Sequence, residues 1–295
     1  MNKSWLWLLA LLIMVSAVIY QRTTGPTYPF RGTFQASENT HKYRLIRSQE
    51  TTSKARVALP DPALAESSFA AKLHYKRYKT NDEFSIDPFV KESPQEAEEK
   101  AEYAAYLPIQ PSAGKMEYFV TLNVAGKVLR IPAEGQDNIV LRYKDPVPDA
   151  ILWPHIFMMF FSVLIGMRAG LAALFGVDDM RRLSFIALGG MTVGGMILGP
   201  IVQKFAFGEY WTGFPFGGDL TDNKMLIMWV SWVIAAAVIG TREKKNEKVS
   251  RAVVLCAALV MTAVYLIPHS MRGSELDYSQ VDQGVNPSEA IGTGD

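Results

Sequence analysis

Hydrophobicity in this chain is segregated, and that segregation constrains the fold more than any motif does. Residues 150–268 hold four long apolar runs, 150–167, 183–202, 225–240 and 252–268, joined by short polar links, whereas residues 21–149 are rich in charge of both signs. Each run is roughly 16–20 residues, enough at ~1.5 Å per residue to span most of a ~30 Å hydrocarbon core. A soluble core does not alternate in this way, but a membrane domain does. A fifth run, "WLWLLALLIMVSAVIY" from Trp5 to Tyr20, follows Lys3. Val18, Ile19 and Tyr20 are bulky where a signal peptidase takes small side chains. The expectation is therefore a retained signal anchor, five spans, and the lipid bilayer as first partner.

Basic residues set the orientation. Arg168, Arg181 and Arg182 follow the second run, and "TREKKNEKVSR" follows the fourth. The positive-inside rule puts both links and Lys3 in the cytoplasm, and residues 21–149, 203–224 and 269–295 outside. This is the pattern of a bacterial-type inner-membrane protein. Net charge is only +1, which gives no reason to expect a nucleic-acid partner. One cysteine, Cys256, lies inside an apolar run. No disulfide can form within the chain, and Cys256 reads as a small buried hydrophobe.

The outer region reads as mostly β. Partial alternation marks strands at 42–48, 54–59, 71–78, 116–123, 127–131 and 138–144, with turn residues between them. Ser93, Pro94 and Glu96 form a capping box with proline at the first helical position, which predicts a short helix over the following "AEEKAEYAAY". His41 and His74 fall in strand-like stretches and read as solvent-facing. The predicted fold is a membrane α-helical bundle of five spans with an inserted extracytoplasmic all-β sandwich, immunoglobulin-like in architecture. Its parts are an anchor (1–20), a tether (21–37), the sandwich (38–149), a four-helix membrane domain (150–268) and an outer C-terminal tail (269–295).

This placement gathers the unusual residues at the outer face. Pro154 suits a first helical turn, so His155 begins the second span, and Pro268 ends the fifth just before His269. Glu209, Trp211, Asp219, Asp222 and Lys224 come from the loop between spans three and four, and Arg272, Glu275 and Asp277 from the tail. Imidazoles and carboxylates ligate zinc, copper or iron, and two histidines at one depth could clamp a haem. No HxxxH, CxxC or HExxH spacing supports this, and polar residues at helix ends also simply meet water. Met158, Met159, Met191 and Met196 offer soft ligands but read as packing. Gly190 with Gly194, and Gly195 with Gly199, make GxxxG spacings for close helix packing, within the bundle or with another subunit. The absence of charge deep in any run argues against proton-coupled transport.

The function expected on this reading is a non-enzymatic accessory, assembly or sensing component of the cell envelope, whose sandwich meets an envelope protein. The alternative is a membrane redox or metal- or haem-binding protein using His155 and His269; transport ranks third. The sequence sets no oligomeric state.

Overall fold

The computed structural model describes residues 4–36, 38–64, 68–92, 101–241, 247–268, 271 and 273–293. The chain divides into two compact units: Met1–Pro26, Val147–Ser274 and Thr293–Asp295 form one, and Thr27–Pro146 with Glu275–Gly292 form the other.

The first unit is helical. It contains α1 (Trp5–Thr24), α2 (Asp149–Phe175), α3 (Met180–Met191) running through a π-helical segment (Thr192–Leu198) into α4 (Gly199–Phe207), then α5 (Leu220–Ile239) and α6 (Glu247–Leu266). With α3 to α4 taken as one, these are five helices long and apolar enough to cross a membrane. The π turn has a local cause. Pro200 has no N–H to return to the preceding turn, and the Gly199 N–H reaches back five residues to the Gly194 carbonyl. Gly176, at φ 66°, ends α2 with a left-handed cap in which the Val177 N–H donates to the Ala172 carbonyl at 2.9 Å.

Small residues let these helices approach. A side chain at Gly190 would collide with Ser162 of α2, one at Gly195 with the Met225 thioether of α5, and one at Gly194 would lie 2.8 Å from the Met158 Cβ. The GxxxG glycines therefore pack inside this bundle. A third such pair, Gly166 and Gly170 on α2, faces Met261 and Ala258 of α6. The helix α1 belongs to the same core: Leu6, Ala10, Ala17 and Gln21 are buried along one stripe, and the Gln21 amide donates to the Tyr265 carbonyl at 2.9 Å.

Two expectations change. The helix α2 runs past Arg168 because "AGLAALF" continues it to the Gly176 cap. Arg168 is thus inside a long helix, 2 % exposed, paired with Asp179 at 2.9 Å and lying over the Trp7 ring. Cys256 is exposed, since the buried stripe of α6 follows Val254, Ala257, Ala258, Met261 and Tyr265 on another face.

The second unit is β-rich. Its elements are β1 (Phe30–Ala36), β2 (Asn39–Leu45), β3 (Ser48–Glu50), β4 (Ala55–Pro60), β5 (Phe69–Arg77), β6 (Ser85–Pro88), β7 (Val90–Glu92), β8 (Glu102–Leu107), β9 (Lys115–Val124), β10 (Lys127–Ile131) and β11 (Ile139–Lys144). After the helical unit the chain adds β12 (Ser274–Leu276), α7 (Tyr278–Asp282) and β13 (Ile291–Thr293). One sheet runs β3–β11–β9–β5–β6 with β10 also on β9, a second runs β4–β8–β7, and β1 pairs with β2. Strands β6 and β7 are one stretch of chain that changes sheets at Phe89, whose N–H donates to the Ala71 carbonyl at 2.9 Å. Inward residues of all three sheets share one core, with Leu45, Val57, Leu59, Leu73, Leu107, Tyr118, Val120, Leu122, Leu141 and Tyr143 fully buried.

The alternating segments of the sequence become β2, β4, β5, β9, β10 and β11. The expected tether does not survive: α1 extends to Thr24, and Phe30–Ala36 is a strand. The second half of the predicted helix is β8, a middle strand in which Tyr103, Ala105 and Leu107 enter the core and cross-strand pairing outweighs the helix propensity of Ala and Glu. Ser93, Pro94 and Glu96 lie outside the described residues. The expected tail is folded into the β unit over Glu275–Gly292. Neither strand histidine simply faces solvent. His74 stacks on Phe119 at 4.4 Å with its Nε2 2.9 Å from the Thr121 hydroxyl, and burial pushes its pKa down. His41 stacks on Phe34 at 5.4 Å.

Candidate functional site

The polar residues gathered by sequence converge, in the helical unit, on the first turn of α5 and the loop before it. Asp219 is the N-cap. Its Oδ1 accepts from the backbone N–H groups of Thr221 at 2.7 Å and Asp222 at 3.4 Å. Its Oδ2 accepts from the Thr212 hydroxyl and from the Ser274 N–H, both at 3.1 Å. Asp222 sits one turn further on and accepts from the Thr212 N–H at 2.7 Å. The Gln203 amide, from α4, donates to the Thr212 hydroxyl at 2.7 Å. Asp219, Asp222 and Thr212 are all buried, at 4, 6 and 8 % exposure.

Gly213 is required here, because a Cβ would stand 2.6 Å from that of Asp222. Beyond it the loop turns outward: Trp211 donates its indole N–H to the Phe214 carbonyl at 3.0 Å, while Tyr210, Phe214 and Phe216 are exposed. Glu209 is half-buried just after α4. Lys224 points elsewhere. Its buried ammonium donates to the carbonyls of Ile267 at 2.8 Å and Pro268 at 3.0 Å, capping the end of α6.

At the other helix ends, arginines from neighbouring helices do the same. Arg251 donates from Nε to the Ala173 carbonyl at 2.7 Å, at the end of α2, and Arg181 donates to the Ile239 carbonyl at the end of α5. Two residues of the basic clusters singled out in the sequence, Arg181 and Arg251, thus satisfy unpaired helix carbonyls.

His155 lies six residues into α2, about 9 Å along the axis from its start, rather than at its boundary. Helix α2 begins at Asp149, so Pro154 falls in its second turn instead of its first. The His155 Nδ1 lies 2.9 Å from the Gly194 carbonyl in the π segment. A carbonyl only accepts, so Nδ1 carries the proton, and Nε2 is the acceptor of the neutral ring. The Cε1 of the same ring is 3.8 Å from where a Gly199 Cβ would stand.

The remaining sequence candidates do not join this cluster. Glu275 and Asp277 belong to the β unit. There Glu275 pairs with Lys115 and Lys79, and Asp277 caps α7 by accepting from the Ser279 N–H at 2.9 Å. His269 and Arg272 lie outside the described residues. Among the described residues no three His, Cys, Asp or Glu side chains group as a metal site. Sequence reasoning missed Thr212, Gln203 and Ser274, whose residue types carry no signal. It also missed Gly166 and Gly170, whose four-residue spacing was readable.

Fold and cluster together define a class: a chain with five helices of membrane-crossing length and apolarity, and a β unit built from the segments on either side of four of them. Comparison adds no family to that class, since no family model and no curated protein matches the chain.

Proposed function

We propose that this is a five-span protein of a bacterial-type inner membrane, with α1 as a retained anchor, the N-terminus inside and a periplasmic β-sandwich. It acts as a non-enzymatic accessory, assembly or sensing component of the envelope, and its sandwich meets an envelope protein. The observation that carries the non-enzymatic reading is the state of the Asp219 cluster. Asp219, Asp222 and Lys224 are buried and hydrogen-bonded to the backbone they organise, so none of these three side chains is left facing a substrate. The burial of one stripe of α1 in the helical core supports its retention, and the exposed Trp153, Phe157, Tyr210, Phe214 and Phe216 suit an interfacial aromatic belt.

One observation favours the second reading, a metal or haem protein. Histidine ligands usually donate their other ring N–H to a carbonyl or carboxylate, and His155 does so to Gly194. Two measurements on the purified protein decide between the readings: an absorption spectrum and a metal analysis. The accessory reading expects no Soret band and no stoichiometric metal. A haem spectrum or one metal per chain, lost in His155→Ala, would replace it with the second reading.

A further inference from the structure

The C-terminal segment meets the β unit at a buried cluster of basic side chains. Lys115 on β9 and Arg142 on β11 are direct cross-strand partners, and each is 9 % exposed. Like charges directly opposite in a sheet repel, and burial deepens the cost because water cannot screen them. Glu275 brings the counter-charge. Its carboxylate pairs with the Lys115 ammonium and, at 3.0 Å, with that of Lys79. Burial and Arg142 push the Lys115 pKa down in spite of this partner, while burial would raise that of Glu275 and the two lysines hold it low.

Two further fastenings flank the carboxylate. The Tyr278 hydroxyl accepts from the Lys115 N–H at 3.1 Å and lies 3.0 Å from both the Gln110 side-chain oxygen and the Lys115 carbonyl, to one of which it donates. Gly114 makes room, since a Cβ there would be 3.0 Å from that hydroxyl. Arg77 forks between Asp82 of its own hairpin and Asp282 at the end of α7, with bonds of 2.6 and 3.0 Å to the latter. The apolar residues of the segment, Leu276, Tyr278 and Ala290 with Val281, Val285 and Ile291 packed against them, form a cluster separate from the main core.

We infer that residues 275–292 are a polar latch on the β unit, held by Glu275 on Lys115 and Lys79, by Tyr278 over Gly114, and by Asp282 on Arg77. Because its hold is polar, single side chains open it while the main core stays folded.

Hydrogen exchange on the full-length protein in nanodiscs tests this. Peptides covering 275–292 and the start of β9 are protected in the wild type. Glu275→Gln speeds exchange in both at least tenfold, with β5 and the centre of β9 unchanged. Tyr278→Phe, which keeps every charge and the ring, speeds the same peptides by a smaller factor. In a Lys115→Met background, Glu275→Gln loses most of its effect, because the charge it answered is gone. Unprotected 275–292 in the wild type, unchanged exchange in Glu275→Gln, or full additivity with Lys115→Met overturns the latch.

Discussion

Four donors end on the Asp219 carboxylate: two N–H groups of the first turn of α5, the Thr212 hydroxyl and the Ser274 N–H. Removing the acceptor strands buried donors, which costs more than the bonds contribute net. Asp219→Ala is expected to destabilise the helical unit by about 2–4 kcal/mol, combining loss of an N-cap with unsatisfied buried N–H groups. Asp222→Asn should cost less than about 1 kcal/mol, because the amide oxygen still accepts from Thr212 and a second buried negative charge disappears. Unfolding in detergent, followed by tryptophan fluorescence, reads both. An Asp219→Ala protein as stable as the wild type would mean that these bonds do not hold the loop. His155 differs from these residues in kind, since one of its ring nitrogens is committed to Gly194 and the other is not.

Among the elements, adjacent glycines of α3 offer a controlled contrast. A Cβ at Gly190 would meet Ser162 of α2, whereas one at Gly189 has nothing within 4 Å. Gly190→Leu should therefore destabilise the bundle by about 1–3 kcal/mol or more through overpacking, and Gly189→Leu should stay within about 0.5 kcal/mol of the wild type. Equal effects in an SDS unfolding titration would contradict the packing of α3 on α2. The long helices were legible because run length alone identifies them, and β2, β4, β5, β9, β10 and β11 because alternation does. Strand β8 was not, since "EYAAYL" is a strand only through its partners β4 and β7. Nor was β1, whose Gly32 lies under the Tyr43 ring of its neighbour and reads locally as a linker residue. Asp219, Asp222 and Lys224 were legible as polar groups at one helix start. Their roles were not, because Thr212, Ser274 and the Ile267 carbonyl lie 7, 55 and 43 residues away from the side chains they bind.

For the whole molecule, chain parity makes an argument independent of charge. Thr27–Pro146 and Glu275–Gly292 fold into one unit, so both must lie on one side of any membrane the helices cross. Four helices of sufficient length separate them, α2, the α3–α4 stretch, α5 and α6, and an even number of crossings returns the chain to its starting side. Parity fixes what is shared, and the proposed side rests on the basic residues. Arg181 and Arg182 follow α2, and Arg242, Lys244 and Lys245 stand between α5 and α6. Single cysteines are best read in a Cys256→Ala background, because Cys256 is exposed on α6. Glu134→Cys and Ser288→Cys, both at exposed positions, should react with a membrane-impermeant maleimide in intact cells, and Asp178→Cys should react only after lysis. The reverse pattern would turn the orientation over while leaving parity intact. A split, with Glu134→Cys labelled and Ser288→Cys protected, would break the β unit itself, since its two segments could then not share one side.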